Sequence, residues 1–140
     1  VHYDPAKHNT GMLWFGCDGV IITKLDTSTA IQRHQYRNRF IDDRTFSWTS
    51  QNRMGTENEA GLKVVEHESR GLRLHLFVQP RSHAPACYLG LVRVRGRADA
   101  EGVGPMQVRF SLSRSVPTDV LKELLVEADS EAIVVDGADG

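Results

Sequence analysis

The 140 residues fit one domain, long enough to bury a core without metal or disulfide staples. Hydrophobic residues make up 40% and charged residues 25%, the composition of an ordinary globular protein, and no apolar run approaches the ~20 residues that a membrane-spanning helix needs. The net charge of −1 hides an asymmetry: residues 119–140 hold seven acidic residues and one lysine, against 16 basic and 11 acidic residues in 1–118. A basic body with an acidic tail points modestly to an anionic partner. Two cysteines, Cys17 and Cys87, are too few for a disulfide framework and lack CxxC spacing, so a reducing, cytoplasmic setting is expected, with no cofactor and no metal. The chain opens at Val1 without a Met or a secretion signal, and reads as a fragment of a longer polypeptide.

Residues 1–12 read as an irregular lead-in punctuated by Pro5 and Gly11. Leu13 to Phe15 and Val20 to Lys24 read as two short strands around a Cys-Asp-Gly turn. Residues 30–37 suit either a short helix or a loop. Phe46 to Ser50 reads as extended, and 52–61 as a polar loop. Leu62 to Glu68 and Leu72 to Val78, flanking Ser69-Arg70-Gly71, predict a β-hairpin. Cys87 to Ala98 predicts a long strand bent at Gly90, and Met106 to Leu112 a second alternating strand. A helix follows, capped by Thr118, with Val120, Leu121, Leu124 and Leu125 as its apolar stripe. Beyond Ala128 the acidic end reads as a final strand at Ala132 to Val135 or as a linker. The expected fold is mainly β with one or two short helices, a partly closed barrel with a core over about 12–128.

The densest chemistry lies between Arg33 and Arg53, which holds five arginines and two aspartates. Arg33, Arg37, Arg39, Arg44 and Arg53 suit DNA phosphates, because guanidiniums neutralise them and release counterions. Tyr36, Phe46 and Trp48 suit base stacking, and Ser50, Gln51 and Asn52 carry the donors and acceptors that read a base edge. Against this stands the plain alternative that Phe46 and Trp48 are core residues and Asn52 orders a turn. Period two also predicts Arg93, Arg95 and Arg97 on one strand face, a second phosphate-binding row, with Arg109 on a neighbour. His67 and His75 can face one another across the expected hairpin, although the histidines lack metal-ligand spacing. No phosphate loop, nucleophile elbow or paired acid and base stands out, so the isolated domain is not expected to be an enzyme.

The run YRNRFIDDRTFSWTSQNR at 36–53, LHLFVQ at 74–79, YLG at 88–90 and GPMQVRF at 104–110 resembles a bacterial C-terminal domain of unknown function. That domain occurs in phospholipase-D-nuclease/DEAD-box-helicase fusions and in HNH nucleases, including modification-dependent type IV restriction enzymes, and looks similar to SRA modules with a PUA-like barrel. Thr49 departs mildly from the family pattern. The resemblance implies a module that binds modified double-stranded DNA of the 5-methylcytosine type, by base flipping, within a larger bacterial cytoplasmic nuclease or helicase. Duplex reading without flipping, as in B3-like barrels, and docking on the parent polypeptide are the alternatives.

Overall fold

The computed structural model describes residues 12–25, 38–50, 59–98 and 107–138, with backbone alone at 97–98 and 131–138. Seven strands form one mixed sheet: β1 (Met12–Phe15), β2 (Asp18–Lys24), β3 (Arg39–Asp42), β4 (Thr45–Thr49), β5 (Arg73–Gln79), β6 (Cys87–Ala98) and β7 (Gln107–Leu112). Two helices accompany them, α1 (Glu59–Val65) and α2 (Thr118–Ala138). The strand order is β1-β2-β5-β6-β7-β4-β3, with β2 and β5 parallel and every other pair antiparallel. The fold is therefore mainly β, as expected, but the sheet is open: among the described residues β1 and β3 are its two edges.

Alternation along the strands sorts side chains onto two faces. The inward face carries Met12, Ile21, Leu74, Leu76, Val78, Val92, Val108, Phe110, Leu112, Phe46 and Trp48, all buried in one cluster. Val64 of α1 and Leu124 and Ala128 of α2 close that cluster. Gly19 sits on this face because Trp14 and Leu74 press on it: a Cβ there would lie 2.8 Å from each.

The hairpin expected over Leu62 to Val78 does not form. Its first arm is α1 followed by a turn, and only the second arm is a strand, β5. Leu62, Val64 and the charges between them satisfy period two on paper. The residues buried are instead Gly61, Val64 and His67, a spacing of three, which is helical. Glu59 lies in the first turn and Lys63 in the last, each at the favourable end of the helix dipole. Arg70 pairs with Glu66 and Glu59, and Lys63 lies 4.2 Å from the centroid of the Trp14 ring, tying α1 to β1. The polar loop expected over 52–61 ends sooner, because Glu59, Ala60 and Gly61 already belong to α1.

The strand-or-linker expected at Ala132 to Val135 is likewise corrected: α2 continues through it. Leu121 N–H donates to the Pro117 carbonyl at 2.9 Å, so Thr118 lies in the first turn rather than capping it. β3 was not foreseen, and the readings over 1–11, 30–37 and 52–58 lie outside the described residues. Among the described residues no helix is long and apolar enough to cross a membrane.

Candidate nucleic-acid interface

The outward face of the sheet is where the polar and cationic residues gather. Arg39, Ser47 and Arg109 lie in one cross-strand line, through the pairings Arg39 with Ser47 and Ser47 with Arg109. At ~4.8 Å per strand, the two arginines start about 10 Å apart. Arg93 pairs with Ser111, one diagonal step from Arg109, a separation of roughly 7–8 Å. Arg93, Arg95 and Arg109 are exposed, and Arg39 is half-buried. Gln107 Nε2–H donates to Ser47 Oγ at 2.8 Å, which fixes the polar floor between them. β4, β6 and β7 contain no Asp or Glu at all. Like charges clustered this way repel one another until an anion arrives.

Two β-bulges in β6 disturb simple alternation on this face, and a third register shift, between Phe40 and Asp42 of β3, sets Asp42 opposite Thr45. Leu76 pairs with Gly90 but Phe77 pairs with Tyr88, so Leu89 is the extra residue. Gly90 takes φ +98°, a backbone angle that favours glycine. The inserted residue turns Tyr88 outward beside Phe77, their ring centroids 4.8 Å apart, and leaves Tyr88 50% exposed. The second bulge falls between Val94 and Gly96 and shifts Arg97 opposite Val108. The strict period-two spacing expected for Arg93, Arg95 and Arg97 is broken there: Arg93 stands opposite Ser111, on the side of Arg109, and Arg95 is the extra residue of the bulge.

Beside the arginines lies a hydrogen-bonded chain. Asp18 accepts from Arg73 at both oxygens, 2.8 Å from Nε to Oδ1 and 2.9 Å from Nη2 to Oδ2. Its Oδ1 also accepts from His75 Nε2 at 2.9 Å, and His75 Nδ1 lies 2.8 Å from the Tyr88 hydroxyl. The His75 hydrogen bond, then Arg73, holds the Asp18 carboxyl below its ordinary 3.8. The parallel pairing of Asp18 with Arg73 and of Val20 with His75 sets these groups side by side.

β6 pairs with β5 over its first half and with β7 only from Val92 onward, so its first half overhangs the end of β7. The chain from Ser113 to Pro117 crosses there. It leaves a notch of about 440 Å³ lined by Tyr88, Gly90, Leu91, Ser115 and Pro117 among others. A neighbouring depression of about 420 Å³ is lined in part by Arg73, Leu91, Arg93 and Ser113.

The predicted stackers and edge readers fare differently from the arginines. Phe46 is 0% and Trp48 4% exposed, and Trp48 stacks on Phe110 with centroids 5.5 Å apart. Both pair with inward residues of β7, so they are core rings and not a base pocket. Ser50 is buried as well. Arg44 is exposed, but it lies in the β3–β4 turn and its Nη2 donates to the Ser113 carbonyl at 3.4 Å, away from the Arg39–Arg109 line. Arg33, Tyr36, Arg37, Gln51, Asn52 and Arg53 lie outside the described residues, as does the Arg97 side chain. His67 and His75 do not face one another: His67 Nδ1 bonds the Val64 carbonyl at 2.7 Å in the turn after α1. Among the described residues no group of three potential ligands gathers for a metal. Asp18 and Tyr88 were missed as candidates, and His75 was considered only opposite His67. The glycine bend foreseen at Gly90 was the available signal, since a bulge there reverses the side that Tyr88 faces.

No curated protein matches the sequence. The family model for a domain of unknown function, DUF3427, matches residues 9–124, most of the chain and all of the sheet. The chain thus belongs to the DUF3427 family of domains of unknown function.

Proposed function

We propose that this domain is the DNA-recognition module of a larger bacterial, cytoplasmic restriction nuclease or helicase. It grips double-stranded DNA across the outward face of its sheet and reads a modified base of the 5-methylcytosine type by flipping it. The domain recognises and does not itself cleave. One observation carries the reading: Arg93, Arg95 and Arg109 stand exposed on strands free of carboxylates, and the half-exposed Tyr88 lies further along β6 on its outward side. Guanidiniums neutralise phosphates, and an exposed aromatic ring offers any base a stacking surface. Phe46 and Trp48 have no part in this arrangement, so the stacking role passes to Tyr88 backed by Phe77. The SRA- and PUA-like likeness of the sequence motifs supports the modified-base reading and its flipping step. Unstacking costs a few kcal/mol, which a fitted site recovers through stacking and edge hydrogen bonds.

The test is a binding screen of short duplexes carrying cytosine, 5-methylcytosine, 5-hydroxymethylcytosine, N6-methyladenine or phosphorothioate, repeated across salt concentrations. The expected result is salt-dependent binding that favours 5-methylcytosine, with a fluorescent base analogue at the target brightening on binding. Equal affinity for methylated and unmethylated duplexes defeats the modified-base reading. A quenched analogue with strong sequence preference points to groove reading without flipping. Absence of salt-dependent binding leaves docking on the parent polypeptide in its place.

A further inference from the structure

We infer that the Tyr88 oxygen is a hydrogen-bond acceptor, held by Asp18 and His75, that selects bases bearing an amino group. The inference rests on the DNA-binding reading above and assigns the point on the sheet where a base, and not a phosphate, is met.

The polarity follows from the chain of bonds. An ionised carboxylate only accepts, and Asp18 is fixed in that form by Arg73 on both oxygens. The His75 proton facing Asp18 is therefore on Nε2, 2.9 Å away. In the neutral imidazole Nδ1 then carries a lone pair, and the Tyr88 hydroxyl 2.8 Å from it donates into that lone pair. The phenolic proton is thereby occupied, and the oxygen turns only lone pairs toward solvent. A phosphate oxygen, itself an acceptor, gains nothing from such a group. The 6-amino group of adenine and the 4-amino group of cytosine each bring the N–H that it needs. Arg93 and Arg109 have the opposite chemistry, donors only. The arginine donors on β6 and β7 are thus set apart from the acceptor at Tyr88. The notch of about 440 Å³ beside the ring leaves room for a planar base to lie against it. Asp18 and His75 are positioning residues here, since they act through the Tyr88 hydroxyl. The amino group can come from an unpaired or extruded base, or from the major-groove edge of a paired one.

Fluorescence anisotropy with the whole chain tests this. The probes are a labelled oligodeoxyadenosine strand and the same strand with purine, which lacks the 6-amino group, in place of adenine. Each is measured alone and as a duplex with thymidine. Wild type is expected to bind the adenine probe about five- to tenfold more tightly than the purine probe, the worth of one hydrogen bond. A preference in the single strands alone means that an unpaired base is read; one that persists in the duplex means an extruded base or groove edge. Tyr88→Phe keeps the ring and is expected to bind both probes equally. Asp18→Ala is expected to lose the preference too, because His75 Nε2 then lacks the acceptor that holds its proton there. Thermal melts show whether each variant is folded, and a merely structural role for Asp18 would not alter the adenine-to-purine ratio. Equal binding of both probes by wild type, with a normal salt slope, overturns the inference alone, as does a preference that survives in Tyr88→Phe. Absence of salt-dependent binding to every probe overturns the DNA-binding reading and this inference with it.

Discussion

On the inward face of the sheet, Phe46, Trp48, Val108 and Phe110 meet one another and exclude water. On the outward face, the residues that alternate with them along the same strands, Ser47, Gln107 and Arg109, form a hydrogen-bonded and cationic surface. The two faces share every backbone atom. Their difference comes from period two, broken where the pairing register shifts, so stability and recognition are written on alternate residues. A substitution should therefore disturb one property and spare the other, and that separation can be tested.

The largest expected effect is on the inward face. Phe110→Ala removes a fully buried ring that stacks on Trp48, and should cost about 3–5 kcal/mol of stability, read from the midpoint of urea unfolding. Next is Gly19→Ala. A Cβ at 2.8 Å from Trp14 and Leu74 forces rings and strand apart, and the expected loss is about 1–3 kcal/mol in the same experiment. A stability close to wild type would mean that Trp14 swings clear.

Smaller effects sharpen the outward side. Asp18 has a folded-state pKa below its ordinary 3.8, so the stabilisation from its partners is fully present above that value. It is lost as pH falls below it, toward the lower folded-state value. Asp18→Asn should lower the melting temperature modestly at neutral pH and flatten the acid limb of the profile below about pH 4, so that variant and wild type converge there, a pattern that follows from linkage. The smallest effect concerns the thiols. Burial pushes the Cys87 thiol above its usual value, while Cys17 is exposed. Alkylation at neutral pH should label Cys17 first, as mass spectrometry of a short time course would show.

Much of the fold was legible in the sequence because the strands alternate strongly. Cys87–Ala98 was read with its true limits, and β2, β4 and β7 to within two residues or so. Reading failed where one pattern satisfied two periods, as over Leu62 to Glu68, where only tertiary burial of Gly61, Val64 and His67 decides for a helix. It failed again at the acidic end, where polar composition concealed a continuing α2. The site was harder. Composition identified arginines and rings, but not which face each would occupy. Phe46 and Trp48 went to the core because their neighbours on β7, Phe110 and Val108, are apolar partners. Tyr88 came to the outward face only through an extra residue at Leu89, which no alternation rule contains. The Asp18–His75 contact joins residues 57 positions apart through a parallel pairing that local patterns do not encode.

The central claim is that the outward face binds DNA through its arginines. It is tested most directly by the dependence of duplex affinity on salt, measured for wild type and for Arg93→Ala/Arg109→Ala. The account predicts that log affinity falls linearly with log salt and that the double variant lowers the steepness by about two while staying as stable as wild type. A salt slope unchanged by the double substitution, or a wild type whose binding ignores salt, would contradict it.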